Sequence, residues 1–391
     1  MLASVTFWGS TAVLGWVYVG YPALVAVLGR RRPIQLQPSL PSPILTVAIA
    51  AHDESAAIGD RIDDVLAQAA DGARVGEILV GSDGSTDGTD AIVAARAAAD
   101  PRIRLVALPR GGQTATQQVL LASATGDAVV LTDAETRFGT GCLAALGEAL
   151  RDPRVGCATG RLEWRDESAT VTSSQEGLYW RYERAIRGLE SRAGLLTAVT
   201  GAVLAIRTSA SRPVPPSASM DHLLPLYVRE GGGLVLYVPE AVATDRPISG
   251  IREQFRNRTR TATRGIAANL SMAGRLAPWR RPGAALAIWS HKLLRWATPW
   301  FILLAGVAAW LLGGWYTAVP VAIGLGACAA VAGHLATGVG RRPPRIIGFA
   351  RSFAVVNVAF GLAWLNVLFG RRIHSWHREE WDARARSPRG T

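Results

Sequence analysis

Four apolar stretches and one alternating region divide the 391-residue chain. The first stretch runs from about Leu2 to Leu28 and stops at Arg30, Arg31 and Arg32. That length suits a membrane-crossing helix whose arginine end lies in the cytoplasm. A signal peptide suits it less, because no basic segment precedes it and no persuasive small-residue cleavage site follows. The proline-rich "PIQLQPSLPSP", residues 33–43, reads as a linker. From Leu45 to about Arg154 the pattern changes to short runs of strand formers, "LTVAIAA", "EILVGS", "IRLVAL" and "AVVLTDA". Helical stretches near residues 55–70, 87–99 and 114–124 separate them. This alternation predicts an α/β fold with a mostly parallel sheet and right-handed crossovers.

After about Pro278 the apolar character returns. The stretch through "SHKLLRWATPWFILLAGVAAWLLGG" is too long for one simple span. It carries His291, Lys292 and Arg295 among tryptophans, so its first half reads as an interfacial amphipathic helix. Two further apolar segments follow, Tyr316 to about Thr337 and Phe349 to Gly370, separated by the basic "GRRPPR". The pattern therefore predicts an N-terminal transmembrane helix (1–32), a linker (33–44), a cytoplasmic sheet domain (45–278), interfacial and transmembrane helices (279–372) and a basic tail (373–391). Trp376 and Trp381 of that tail should lie along a membrane surface.

Charge sharpens this picture. The formal net charge of +12 would suit nucleic acid if the basic residues formed one soluble patch with aromatics. Here they border apolar segments instead, which excludes a nucleic-acid partner and points to membrane lipid. Cys142, Cys157 and Cys328 show neither metal-ligand spacing nor an even disulfide set, so a reduced, cytoplasmic domain is the default.

In parallel sheets ligands bind beyond the carboxyl ends of the strands, and polar residues stand there in this chain: His52, Asp53 and Glu54, then Ser82 and Asp83, then Asp133 and Glu135. In an extended chain Asp133 and Glu135, two apart, project to one face and repel unless a hard, oxygen-liganded cation lies between them. A strand-end turn with two solvated acids is the alternative. "GSDGSTDGTDAIVAA" reads either as a well-made strand-to-helix turn or as a nucleotide contact through Asp83. In "AHDESAAI", Asp53 or Ser55 could cap a helix, and Asp221 in "MDHLLPL" could do the same.

In this order and spacing, "TVAIAAHDES", "VGSDGSTDGT", "ATGDAVVLTDAET", "YWRYERAIRGLESRAGLLTAVTGAVLAIRTS", "MDHLLPLYVREGGGLVLYVPEAVA" and "REQFRNRTRTATRG" resemble the family 2 nucleotide-sugar glycosyltransferases. The likeness is to their membrane-bound branch of polysaccharide and poly-N-acetylglucosamine synthases, which has a GT-A-like, Rossmann-like fold. It implies that Ala51, Glu54 and Asp83 hold the base and ribose of a sugar nucleotide, often UDP-linked. It also implies that Asp133 and Glu135 place Mg2+ or Mn2+ against the diphosphate. Asp221 would be the catalytic base of an inverting transfer, benefiting from a pKa raised by partial burial. Arg258 and Arg260 would meet the diphosphate, and Thr200, Gly201 and Ala202 would line the acceptor channel. The implied partners are a nucleotide-sugar donor, a glycan or lipid-linked acceptor and membrane lipid, at a multi-pass site in the cell membrane.

The chain departs from the family at four places. Glu135 replaces the second aspartate of D-x-D, Met220 stands where an acid usually precedes the base, Gln113 stands where lysine is common, and no Q-x-x-R-W follows Gln254. These departures leave two alternatives: a polyprenyl-phosphate glycosyltransferase, and a catalytically inactive nucleotide-binding membrane scaffold.

Overall fold

The computed structural model describes residues 1–164, 171–245, 251–338, 341 and 343–371, and for residues 171–180 and 251 the backbone alone. The tail of residues 373–391, with Trp376 and Trp381, lies outside the described residues.

Among the described residues eight strands form one sheet: β1 (Leu45–Ala51), β2 (Val75–Asp83), β3 (Ile103–Leu108), β4 (Ala128–Asp133), β5 (Arg137–Phe138), β6 (Val155–Trp164), β7 (Leu204–Arg207) and β8 (Leu234–Asp245). Their order is β3-β2-β1-β4-β7-β6-β8-β5. The first four are parallel, as the alternation predicts. Beyond β4 the sheet is mixed: β7 runs antiparallel to β4 and β6, β8 is parallel to β6, and β5 is antiparallel to β8. The fold is thus a mixed α/β sheet: strands and helices alternate in the second half too, but β7 enters between β4 and β6 and runs against both, which alternation alone does not encode.

All seven residues of β1 are buried, as expected of a central strand covered on both faces. Its side chains alternate between two cores. Val47 and Ile49 pack with Ile62 and Val65 of the helix Ile58–Ala70 and with Leu143 and Leu146 of the helix Cys142–Ala149. Ala48 faces the other way, toward Leu120 of the helix Gln113–Ser123, Leu224 of the helix Met220–Glu230 and Ile266 of the helix Ile251–Met272. This second core continues through Leu276, Ile288, Leu293 and Trp296 to Phe360. Apolar packing therefore joins the sheet to the helices beyond Pro278.

Among the described residues three helices are long and apolar enough to cross a membrane: Leu2–Arg31, Gly314–Gly338 and Arg345–Leu368. The helices Pro282–Trp296 and Thr298–Leu312 meet at a 60° bend and count together as a possible fourth. Pro299 in the first turn of the second helix fits a break there. The N-terminal helix packs Phe7 against Ala305, Ala308 and Ala309, and Tyr21 and Val25 against Ile186 of the helix Val171–Arg192.

Candidate active site

Because β2 and β3 lie on one side of β1 and β4 on the other, the order of strand addition reverses beside β1, and a crevice is expected at its carboxyl end. Register places Ala50 beside Asp133, Ala51 beside Ser82, and Asp83 beside Leu108. Three of the expected residues thus share one edge.

Around Asp83 that edge is tightly tied. The buried Asp83 carboxylate accepts hydrogen bonds from the backbone of Gly111 (2.6 Å) and Gly112 (3.0 Å) and pairs with Arg110 at 3.0 Å. The loops after β1 and β2 also lace together. The Thr86 amide donates to Asp53 Oδ1 (2.7 Å), the Glu54 amide to Thr89 Oγ1 (2.9 Å) and the Ser55 amide to Asp87 Oδ2 (2.9 Å). Asp53 therefore does not cap its own helix, which begins at Ile58 without a side-chain cap. It bridges the two loops from a left-handed backbone (φ 53°), which aspartate tolerates better than most residues.

A cavity of about 240 Å³ gathers the chemistry. Asp133, Asp221, Asp245, Arg260, Arg264 and Gln113 are among its lining residues. Gln113 donates its side-chain amide to Asp133 Oδ1 at 2.8 Å, so the residue in the lysine position supplies a neutral donor. Burial first, then repulsion from Asp245 and Asp221, pushes the Asp133 carboxyl up to about 6. Behind the strand, buried Arg61 bonds Thr132 Oγ1 at 2.7 Å, pairs with Asp64 and covers the Phe138 ring. Arg61 thereby fixes the end of β4.

Glu135 lies outside strand β4. The strand ends at Asp133, and Ala134 and Glu135 form a bend, so the extended-chain argument for a shared face does not hold. Neither cavity described here is lined by Glu135. Asp245, at the end of β8, shares the Asp133 wall instead.

Asp221 lies in the first turn of its helix, after the capping residue Ser219. His222 Nδ1 sits 3.2 Å from Asp221 Oδ1 and 2.7 Å from Ser219 Oγ. Burial would raise the Asp221 carboxyl, but His222, a hydrogen bond from Ser219 and nearby Arg264 outweigh it and hold the group below the usual carboxylate range. The expected upward shift at Asp221 is thus reversed, and the raised acid is Asp133. Arg264 donates to Thr114 Oγ1 (2.7 Å) and to the Ala218 carbonyl, bracing the turn that presents Asp221.

A second cavity of about 300 Å³ adjoins the first, sharing Thr200, Gly201, Asp221, His222, Arg260 and Thr261. Arg258 lines this second cavity, and Arg260 lines both. Ala51, Glu54 and Asp83 line neither. Sequence reasoning missed Asp245 and His222, and it named Arg264 only as one member of the run Arg252, Arg256, Arg258, Arg260 and Arg264. An acid at the end of a strand-like run, "VPEAVATD", is the same signal that singled out Asp133.

Among the described residues no three His, Cys, Asp or Glu side chains form a ready-made metal cage. The raised Asp133 nevertheless marks a place where a cation would relieve repulsion.

Residues 46–212 match the family model described as glycosyl transferase family 2. Over this segment the chain is similar to family 2 glycosyltransferases. Relatives annotate its neighbourhood: an N-acetylglucosaminyltransferase of Rhizobium leguminosarum bv. viciae is 26% identical over 220 residues, 52% of this chain and 51% of its own length. Another, of Sinorhizobium fredii, is 28% identical over 160 residues, 37% of this chain and 39% of its own length. The chain spans about half the length, or less, of the curated relatives it matches. Among solved structures, a mannosyltransferase from Pyrobaculum calidifontis in complex with GDP-Man and Mn2+ superposes with a TM-score of 0.67 at 18% identity, covering 95% of this chain and 100% of the other. The sheet domain therefore has the GT-A fold, and the segment matched by the family model ends just past β7, before Asp221, Asp245 and the arginine helix.

Proposed function

We propose that the chain is an integral membrane glycosyltransferase that moves a sugar from a nucleotide donor, probed first as UDP-linked, to a glycan or lipid-linked acceptor with inversion. In this reading the sheet domain faces the cytoplasm and the helices after Pro278 are multi-pass. The observation that carries it is the single cavity in which Asp133 and Asp221 stand together with Arg260, whose guanidinium interacts with both, at the switch point of a sheet domain with the GT-A fold. Relatives named as N-acetylglucosaminyltransferases and a fold neighbour solved with a sugar nucleotide and Mn2+ support it.

Asp133, with Asp245 beside it, would hold Mg2+ or Mn2+. Glu135 remains a candidate ligand only through movement of its bend. When bound, the ion supplies positive charge against the leaving nucleoside diphosphate. Arg260 and Arg258 offer planar guanidinium donors to the same phosphates. Ala51, Glu54 and Asp83, on the braced edge, are assigned to the nucleoside. Asp221 accepts a proton from the acceptor oxygen as that oxygen bonds to the anomeric carbon and the carbon–oxygen bond to the diphosphate breaks. Held ionised, Asp221 is available across the neutral range.

Purified full-length protein incubated with UDP- and GDP-sugars, with and without Mn2+, tests this by nucleotide release. Release should require the divalent ion. Donor binding without nucleotide release would overturn the reading in favour of the nucleotide-binding scaffold.

A further inference from the structure

Four consecutive residues, 111–114, connect three parts of the site. Gly111 and Gly112 donate their backbone amides to Asp83 on the braced edge, at 2.6 and 3.0 Å. Gln113, the next residue, donates its side-chain amide to Asp133 Oδ1 at 2.8 Å. Thr114 Oγ1 donates to the Ala218 carbonyl at 2.9 Å and accepts from Arg264 at 2.7 Å, which fastens the turn leading to Asp221. Gly112 makes this run possible. Its backbone lies at φ 88°, a region open to glycine, and the helix Gln113–Ser123 starts directly after it. The backbone of Gln113 is therefore pinned through both neighbours, and its side chain reaches Asp133 from a fixed point.

Among the described residues Gln113 is the one hydrogen-bond donor to the Asp133 carboxylate. A carboxylate offers about four lone-pair positions on its two oxygens. One donor on Oδ1 thus orients the group and leaves most of its accepting capacity to the cavity that Asp133 lines. The donor is also uncharged. An amide satisfies a lone pair without neutralising the carboxylate, whereas an ammonium at the same point would neutralise Asp133 and repel a second cation. Gln113 therefore leaves the charge of Asp133 intact in a cavity that Asp221 and Asp245 also line.

We propose that Gln113 is a positioning residue that makes the donor site depend on a divalent ion: it aims the Asp133 carboxylate and, by staying neutral, keeps the charge of that carboxylate for the ion. This inference rests on the glycosyl-transfer reading above and assigns the origin of its ion requirement.

The test measures binding alone, by titration calorimetry of the full chain in nanodiscs with Mn2+, and with UDP and GDP in Mn2+ or in chelator. Gln113→Lys, which can still donate to Asp133, should keep the wild-type melting temperature while lowering Mn2+ affinity by about tenfold or more. Its ammonium should also tighten nucleotide binding in chelator, so that the ratio of the nucleotide Kd in chelator to that in Mn2+ shrinks by about tenfold. Gln113→Met, of similar length but with no donor, should lower Mn2+ affinity by about tenfold and leave nucleotide binding in chelator unchanged. A hydrogen bond that only fills space predicts an unaltered ion requirement in Gln113→Lys, and that result overturns the inference. Mn2+ affinity within about twofold of wild type in Gln113→Met overturns it as well, and this variant decides alone if Gln113→Lys fails to fold. A wild type that binds nucleotide equally well with and without Mn2+ refutes the ion reading itself. A wild type and a Gln113→Lys variant with the same strong requirement refute only the role of Gln113.

Discussion

At Asp133 the decisive quantity is the cost of a third negative charge. Asp245 and Asp221 face it, Gln113 donates to it, and Arg61 and Arg260 offset part of the repulsion. Its folded value of about 6 exceeds the ordinary 3.8, so the folded protein holds this proton more tightly than the unfolded chain does. The ion-free protein should therefore gain stability as pH falls from above 6 toward 4, by at most about 3 kcal/mol. Thermal unfolding in chelator at pH 5 and pH 7.5 checks the sign. The same proton competes with a divalent ion, so Mn2+ affinity measured by titration calorimetry should fall as pH drops below about 6. Asp133→Asn should remove both pH effects and abolish ion-dependent donor binding. Asp221→Asn should instead leave donor binding within about twofold and lower turnover by about 10²–10⁴-fold, read from kcat against donor Kd.

At the scale of elements, the arginine helix Ile251–Met272 carries the site from behind. Arg264 ties it to Thr114 and to the Ala218 carbonyl, and Gly265 lets His222 and Trp296 approach. A Cβ at Gly265 would sit 2.7 Å from His222 Nε2 and 2.5 Å from the Trp296 ring. Gly265→Ala should thus shift His222 away from Asp221 and cost about 1–3 kcal/mol by overpacking, visible as a lower Tm together with reduced kcat. The "RNRTRTATR" run was legible as basic, with Arg258 and Arg260 singled out. Which guanidinium braces and which faces the cavity was not, because that depends on the angle at which the helix crosses the Gln113–Ser123 and Met220–Glu230 helices. The parallel half of the sheet was legible because its strands are short apolar runs that pair in the parallel arrangement strand–helix alternation predicts. β6, β7 and β8 were not, since their partners come from distant sequence and mixed directions.

Over the whole molecule, the core between sheet and membrane helices is continuous, and a polar chain runs from Tyr21 through Glu190 and His291 to Glu183. Removing the Tyr21 hydroxyl leaves buried Glu190 one donor short. Tyr21→Phe should lower stability by about 1–3 kcal/mol, measured by unfolding in detergent, without changing donor affinity.

The sequence by itself determined the parallel strands, the apolar helices and the pair of acids at the end of β4, because periodicity and strand-end chemistry are local properties of the chain; Asp221, Arg258 and Arg260 were singled out through the family resemblance alone. Only the tertiary structure decided that Asp245 joins Asp133 while Glu135 turns off at a bend, and that Asp221 is held acidic by His222 and Ser219. Those outcomes depend on through-space charge and desolvation between residues separated by up to a hundred positions or more, and such energies exist only once the chain is folded.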